Sequence, residues 1–480
     1  ITCCSEEDHT IRETVRRAVE QVLPDTCGAF GVYLLDDGAR DERREFCEEL
    51  GATYLLRPDR PRGKKGGNMN YGLSRSSGEF VIFLDADMWA THDMVDFLLG
   101  EMLGCGDHVG LIQTPQRMRD IQPCDLFSSR NLYFYECSMP TLSAFGHAHF
   151  VGTGAIFRRR AIESVGGVPM HSVTEDVQLS TELQLKGWET QYRRRDVAYG
   201  ESPATGSQLL SQRGRWCRGS LQLLWKYNAL LNPKLTVVQK EQYFQFFLLY
   251  VVIIWALPLL WFSLAIPLLF GIEVLPDAPV IRMTIIYITV NFIMRASRGV
   301  RSTWEDTKLV LSEVVVTDHY FFAVMSVLSL HVGIKFVTKE ILGREVKWVS
   351  TAGVKGLSEE AQVVYTTCIL QMLFYLACAG AGFGRTMYYG REMFYGHTAL
   401  AAVFLLRSAT ILVELCALWS PAPPMTINRT DPGRAIYEAH RGWRFAALAA
   451  IPLLEQLFIV LVWAEAILEY FDHSVARHLY

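Results

Sequence analysis

Residues 243–271 run for 29 positions without one charged side chain, and no other feature limits the fold as strongly. A backbone in hydrocarbon must satisfy its own N–H and C=O groups, so a run of this length is expected to be a membrane helix. Wound as a helix it measures about 44 Å, against a hydrocarbon layer of about 30 Å. That is long for one straight crossing and short for two, which predicts a single tilted span kinked at Pro258 or Pro267. Apolar runs at 278–296, 362–382, 397–419 and 445–466 are read as further spans. Arg295, Arg298 and Arg301 follow the second span and place its end on the cytosolic side. The apolar stretch 320–334 is only fifteen residues and is entered past Glu313, Asp318 and His319, so 313–335 is read as an interfacial helix. Arg429, Arg434, Arg441 and Arg444 return the chain to the cytosol and leave the C-terminus outside. Arg407 and Glu455 then lie about 15 Å deep in their spans, where a charge needs a partner or a wet path. Whether they pair, or Arg407 snorkels or meets hydroxyl groups along a wet path, stays open at this level.

Before residue 229 the pattern changes. Short apolar runs such as "GVYLLDDG", "EFVIFLDAD" and "VGLIQTP" end in acidic or turn residues and alternate with helical segments. This predicts a doubly wound α/β domain over 1–228, with ligands at the carboxyl ends of the strands, and a membrane region over 229–480. A net charge of −4 and the lack of any lysine- or arginine-rich block argue against nucleic acid as a partner. Eleven cysteines, with Cys3 and Cys4 adjacent and no Cys-x-x-Cys pair, support neither a disulfide framework nor a zinc site, so the domain is expected in a reducing compartment. The chain starts at Ile1 in what reads as the end of a strand, which suggests a piece of a longer protein with earlier spans.

Three acidic groups stand at strand ends or helix starts: Asp36-Asp37, Asp85-Ala86-Asp87 and Thr174-Glu175-Asp176. A lone Asp-x-Asp is usually a surface turn. Here Asp85 and Asp87 directly follow five apolar strand residues, so both project from the sheet rim, where a divalent cation could bridge them to a diphosphate. Such hard oxygen ligands suit Mg2+ or Mn2+. Asp36 ends a neighbouring strand and could accept hydrogen bonds from a nucleotide base, while Lys65, in a flexible "GKKGGNMN", could reach the same ligand. Thr174-Glu175-Asp176 reads either as the cap and acidic first turn of a helix or as the home of a general base. In "SQRGRWCRGSLQLLW", Gln212, Arg215 and Trp216 are spaced i, i+3, i+4 along an amphipathic helix. Taken alone, that helix could simply lie on lipid phosphates.

The order Asp36, Asp85/Asp87, "TED" and "QRGRW" resembles the D, DxD, TED, QxxRW signature of processive family 2 glycosyltransferases, and "KGGN", "FVGTGAIFRR" and "SPAT" fall between them as in cellulose synthases. The resemblance covers nearly the whole chain, and the opening "ITCCSEED" is most like fungal cellulose synthase-like proteins, which include mixed-linkage β-glucan synthases. It implies a GT-A domain and a transmembrane channel. Asp36, Lys65, Asp85, Gln212 and Arg215 would hold UDP, Asp85 and Asp87 the metal, and Asp176 would be the general base. Trp216 would stack under the acceptor sugar, with Thr174 and Glu175 beside it. Trp348, Thr351 and Lys355, in 343–356, stand at shifted spacing for the family's gating loop. The last predicted span has no evident counterpart in the bacterial enzymes, and no cyclic-dinucleotide domain follows it.

The implied activity is an inverting transfer of glucose from UDP-glucose to a growing β-glucan, cellulose or mixed-linkage. The product would cross the bilayer of the plasma membrane, with the catalytic domain cytosolic. A homo-oligomer or an accessory subunit is left open. Competing readings are synthesis of chitin or another β-polysaccharide, a non-processive lipid or protein glycosyltransferase, and a catalytically inactive sugar-nucleotide-binding subunit.

Overall fold

The apolar runs before Asp36 and Asp85 each build a strand, and the first of these is β2 (Tyr33–Asp36), with β1 (Thr2–Cys3) and β3 (Thr53–Leu55) parallel on either side. The computed structural model describes residues 1–119, 128–132, 134–170, 172–227, 231–237, 239–240, 243, 266–270, 318–342, 353–389, 395–417 and 450. Helices α1 (Asp8–Val19), α2 (Asp41–Leu50) and α3 (Lys64–Ser74) follow the first three strands in turn. A second sheet has the order β4 (Phe80–Phe83), β8 (Ala155–Arg158), β6 (Val109–Gln113), β9 (Glu189–Tyr192), with β8 antiparallel to both neighbours and β6 parallel to β9. Thr2 joins the two. Its N–H donates to the Leu84 carbonyl at 3.0 Å, and its own carbonyl accepts from Ala86 N–H at 3.1 Å. The surface is therefore continuous, and it is mixed: the doubly wound order expected from sequence is interrupted by the one reversed strand, β8. A small third sheet of β5 (Trp89–Ala90), β10 (Ala198–Gly200) and β7 (Arg117–Met118) sits beyond the rim.

Strand β6 is buried along its whole length, as a strand covered on both faces must be. Its adjacent residues Leu111 and Ile112 enter opposite cores. Ile112 packs with Leu98 and Met102 of α4 (Met94–Gly104). Leu111 packs with Phe83, Phe150, Phe157 and Leu179, where Phe150 and Phe157 meet edge to face at 4.9 Å. Each such ring contributes on the order of 1.5–3 kcal/mol by leaving water, so this layer is a firm floor under the rim. Further α-helices among the described residues of the domain are α5 (Met139–Ala144), α6 (Arg159–Ser164), α7 (Glu175–Leu185) and α8 (Gly206–Tyr227).

Two compact units result, one of Ile1–Ile121, Ser129–Tyr250 and Val332–Ser358, the other of Gln122–Ser128, Val251–His331 and Glu359–Tyr480. Helix α9 (Asp318–Lys335) covers part of the expected interfacial segment. In the second unit, α10 (Glu359–Tyr389) packs against α11 (Tyr395–Ala417). Tyr375 and Phe404 rings lie 5.4 Å apart, and the Ser408 hydroxyl donates to Gln371 Oε1 at 3.2 Å. The buried Arg407 guanidinium lies 4.5 Å from the Phe404 ring centre; Glu455 lies outside the described residues. Among those residues, Glu359–Arg385 is the one helix long and apolar enough to cross a membrane. The expected spans 278–296 and 445–466, apart from residue 450, lie outside them too, as do most of 243–271, Trp348 and Thr351. Lys355 is exposed.

Candidate active site

Asp36 closes β2 and is fully buried. Its Oδ1 takes the Arg43 guanidinium at 2.7 Å and the Gly38 N–H at 2.7 Å, while Oδ2 takes the Tyr54 hydroxyl at 2.9 Å and the Arg40 N–H at 3.2 Å. Burial alone would raise its pKa, but Arg43, Tyr54 and these N–H groups overcome it and hold the carboxyl below the usual range. Asp36 thus stands at the strand end expected for it, with both carboxylate oxygens bonded to protein donors. Arg57, also buried, clamps Asp37 in the same manner, with Nε and Nη2 on the two carboxylate oxygens at 2.7 and 2.8 Å. A further Nη2 bond to the Lys64 carbonyl at 3.0 Å ties this pair to the start of α3.

That start is not flexible, as the glycine-rich wording suggested, but the first turn of α3. The glycines are there for close approach. A Cβ on Gly66 would lie 2.5 Å from the Pro169 carbonyl oxygen, and one on Gly67 would lie 2.3 Å from that of Arg62. Lys65 is thereby aimed at the rim. Its ammonium pairs with Asp85 at 2.6 Å, donates to the Gly152 carbonyl at 3.0 Å and lies 3.9 Å from Glu175. Burial disfavours this charge, yet Asp85, Glu175 and Asp176 together raise the lysine's pKa. Asp85 also accepts from the Thr2 hydroxyl at 3.2 Å. Burial first, then the charges of Asp85, Glu6 and Glu201, push Asp87 up to about 8. Crowded carboxylates of this kind favour a bound cation. Among the described residues no three acidic, histidine or cysteine side chains form a metal cage. Asp85 and Asp87 fit a magnesium-type ion that takes one or two carboxylates and completes its shell with water and substrate phosphates.

The loop 151–154 is held from below by Gln113, whose amide donates to the Thr114 and Thr153 carbonyls at 2.7 and 2.8 Å and accepts from Val151 N–H at 3.0 Å. Thr153 Oγ1 in turn accepts from Asp85 N–H at 3.1 Å. Gly152 has φ +91°, and a Cβ there would lie 3.0 Å from Asp176 Oδ2 and 3.1 Å from Lys65 Nζ. The loop, the lysine and the "TED" turn therefore meet at one glycine. Burial, then the charge of Asp176, push Glu175 up to about 7. Burial also raises Asp176, against Lys65 and a 2.8 Å bond from Val177 N–H. A carboxylate with a raised pKa is a competent proton acceptor near neutral pH.

Thr174 takes the N-cap position of α7 without a capping bond from its side chain. Its hydroxyl instead lies 3.1 Å from that of Ser172, and Gln222 Oε1 accepts the Val173 N–H at 3.0 Å. Gln222 belongs to α8. That helix begins where Thr205 Oγ1 accepts the Gln208 N–H at 3.2 Å and Gln208 Oε1 accepts the Ala204 N–H at 2.9 Å. It meets the acidic turn through Gly219, where a Cβ would lie 2.2 Å from Thr174 Oγ1. Gln212, Arg215, Trp216, Gly219 and Gln222 are spaced 0, 3, 4, 7 and 10, one stripe of the helix. Contact at Gly219 and Gln222 thus turns the stripe bearing Gln212, Arg215 and Trp216, all half-buried, to the side of the base turn. Leu210, Cys217 and Leu221 are buried on its opposite face, and Leu209 and Leu223 are buried along the Trp216 line, so α8 is an internal element, in contrast to a helix laid on lipid.

Lys65, Asp85, Glu175 and Asp176 are brought together as the sequence suggests; Asp36 is present as an anchor. Sequence reasoning passed over Arg43, Gly152, Gly219 and Arg213. Arg43 offered a signal, being a basic residue in the first turn of the helix that follows two aspartates. Gly219, four residues past Arg215 and three past Trp216, also shares their stripe.

The family profile for Glycosyl transferase family group 2 matches residues 80–419. The cellulose synthase 1 catalytic subunit (UDP-forming) of Komagataeibacter xylinus is 33% identical over 267 residues, 51% of this chain and 35% of its own. The cellulose synthase catalytic subunit (UDP-forming) of Xanthomonas axonopodis pv. citri (strain 306) is 32% identical over 244 residues, 48% of this chain and 32% of its own. The chain thus matches about a third of the length of these relatives. Among solved structures, a mannosyltransferase from Pyrobaculum calidifontis in complex with GDP-Man and Mn2+ is similar with a TM-score of 0.48 and 17% identity, over 70% of this chain and 85% of that one. With its profile match spanning well over half of its length and its ordered motifs meeting at one rim, the chain belongs to Glycosyl transferase family group 2, as a cellulose synthase-like member.

Proposed function

We propose that this protein is a membrane-embedded, processive, inverting β-glycosyltransferase that polymerises glucose from UDP-glucose into a β-glucan, cellulose or mixed-linkage, and passes the product through its own spans. One observation carries the reading: Lys65, Asp85, Gly152, Glu175 and Asp176, from four separate motifs, converge within direct contact distances. Such a rim suits a sugar diphosphate on one side and an attacking hydroxyl on the other. Asp176 accepts the proton of the acceptor hydroxyl as that oxygen bonds to the anomeric carbon and the bond to the diphosphate breaks, inverting the centre. Arg215 and Gln212 face the departing diphosphate, where a fixed cation is worth most as charge develops. A divalent ion held by Asp85 and Asp87 would supply charge neutralisation at the diphosphate. Lys65 keeps Asp85 in place and offsets the carboxylate charge around it. Trp216 offers the C–H face of the acceptor sugar an apolar platform.

The bundle reading rests on the apolar runs of the sequence and on Glu359–Arg385. The catalytic domain would face the cytosol at the plasma membrane, with Trp348, Thr351 and Lys355 in the gating segment. Membranes bearing the protein are expected to convert UDP-[14C]glucose into material excluded from a sizing column, with β-linkages by linkage analysis. Asp176→Asn should lower that rate at least a thousandfold while UDP affinity changes less than threefold. Short soluble products would replace processive synthesis with single transfer, and incorporation from UDP-N-acetylglucosamine alone would reassign the sugar. Activity of Asp176→Asn within tenfold of wild type would remove the base.

A further inference from the structure

Arg213 stands apart from the other arginines of α8 because it is buried, with 4% of its surface exposed, in a helix whose remaining buried side chains are apolar or small. Burying a guanidinium is costly unless it is well engaged. Its Cζ lies 4.3 Å from the centre of the Trp216 ring, one helical turn on. Its Nη1 donates to Asn131 Oδ1 at 3.1 Å, and Asn131 itself adopts φ +47°, a backbone state that non-glycine residues adopt at a cost. Further along the same segment, burial raises the pKa of the Tyr135 phenol, and the charges of Arg117 and Arg213 both oppose that rise. The guanidinium therefore bridges α8 to the 131–138 segment and lies against the indole.

We infer that Arg213 is a positioning residue for Trp216: its planar cation backs one face of the indole and fixes the ring, leaving the opposite face to the acceptor sugar. A tryptophan side chain pivots about two bonds, and an acceptor hydroxyl must stay within about 3.5 Å of the reacting carbon to be productive. An unsupported ring would bind sugar but hold it in several orientations. A guanidinium stacked on the ring is attracted by the π face, and its fork can anchor elsewhere at the same time, as it does on Asn131. Lysine, a point charge without a plane, can satisfy the attraction but cannot stack. The geometry separates this role from that of Arg215, which shares the stripe directed to the base turn. The inference rests on the acceptor role proposed for Trp216, and the test separates the two.

Full-length protein in membranes would be assayed for turnover at saturating UDP-glucose, KM for UDP-glucose, UDP affinity and product size. Arg213→Met keeps the stem and removes the plane. It should lower turnover about tenfold or more and shorten the product, with KM and UDP affinity within twofold of wild type. Arg213→Lys should recover part of the turnover. In the Trp216→Ala background, adding Arg213→Met should cause no further loss, because the residue acts through the ring. A parallel loss of UDP affinity would make Arg213 a diphosphate ligand and overturn the inference, as would an undiminished second loss in the Trp216→Ala background. Wild-type elongation by Trp216→Ala sinks the acceptor role itself. A deep loss there beside an unimpaired Arg213→Met sinks only the positioning role. Should Arg213→Met fail to fold, Arg213→Lys decides alone: intermediate turnover at unchanged UDP affinity supports the inference, and full turnover overturns it.

Discussion

His149 lies 3% exposed beside the Tyr243 ring, 5.9 Å between centres. Burial, aided by His147, pulls its pKa down to about 4, from 6.5. A group with a depressed folded-state pKa favours the fold fully above the unfolded value and loses that contribution as the pH falls toward the folded one. Stability should therefore drop between about pH 6.5 and 4, by on the order of 3 kcal/mol. Thermal melting of wild type and His149→Gln across this window checks it: the two curves should converge at acid pH, and parallel curves would remove the histidine from the account. Asp87 offers a ligand-linked test. Asp87→Ala should weaken UDP binding roughly tenfold in Mg2+, about 1.4 kcal/mol, and change it little once the metal is chelated. Equal losses in both conditions would assign Asp87 to structure. What stayed hidden at this scale is the pairing of charges. Sequence placed Asp36 correctly at a strand end but could not show that Arg43 fills its coordination, because the two are brought together only when α2 folds back. Arg213 was hidden for a related reason: an arginine in an amphipathic pattern reads as solvated, and only packing shows it to be inside.

For α8, two effects compete at Gly219. Replacing glycine by alanine inside a helix ordinarily stabilises it by about 1 kcal/mol. Here the new methyl would lie 2.2 Å from Thr174 Oγ1, and overpacking costs about 1–3 kcal/mol. The contact is with the turn that carries Glu175 and Asp176, so the displacement falls on the acidic pair. Gly219→Ala should lower turnover at least tenfold with UDP affinity retained, as measured in the same membrane assay. Unchanged turnover would show that α8 yields without disturbing the base. At this scale the apolar runs before "DD", "DAD" and "TP" were legible, because strands buried on both faces leave an unbroken apolar signature. The reversal of β8 was not. "AIFR" alternates no differently from a parallel strand, and its direction is set by the glycine loop before it and by α6 after it. The "GKKGGNMN" turn was misjudged because glycines selected for close approach look the same in sequence as glycines selected for freedom.

The whole molecule was easier to divide than to order. The sequence changes at about residue 228 from alternating helices and strands to uncharged runs, whereas the compact unit that holds the α/β part continues through Tyr250 and takes in Val332–Ser358. How the apolar segments arrange themselves is not written in their composition, because one apolar side chain suits an apolar position about as well as another. Within the α/β part, the link between the parallel strands and the mixed ones runs through Thr2, whose N–H donates to the Leu84 carbonyl and whose carbonyl accepts from Ala86 N–H, on either side of Asp85, while its hydroxyl donates to the Asp85 carboxylate. That makes the Asp85 end of the rim a seam between two plates. A ligand bridging Asp85 and the opposite edge would act as a rivet across it. Hydrogen–deuterium exchange should then slow at the Thr2 and Ala86 amides when UDP and Mg2+ are added together, more than with either alone, and an unchanged exchange rate would mean the plates are already locked before substrate arrives.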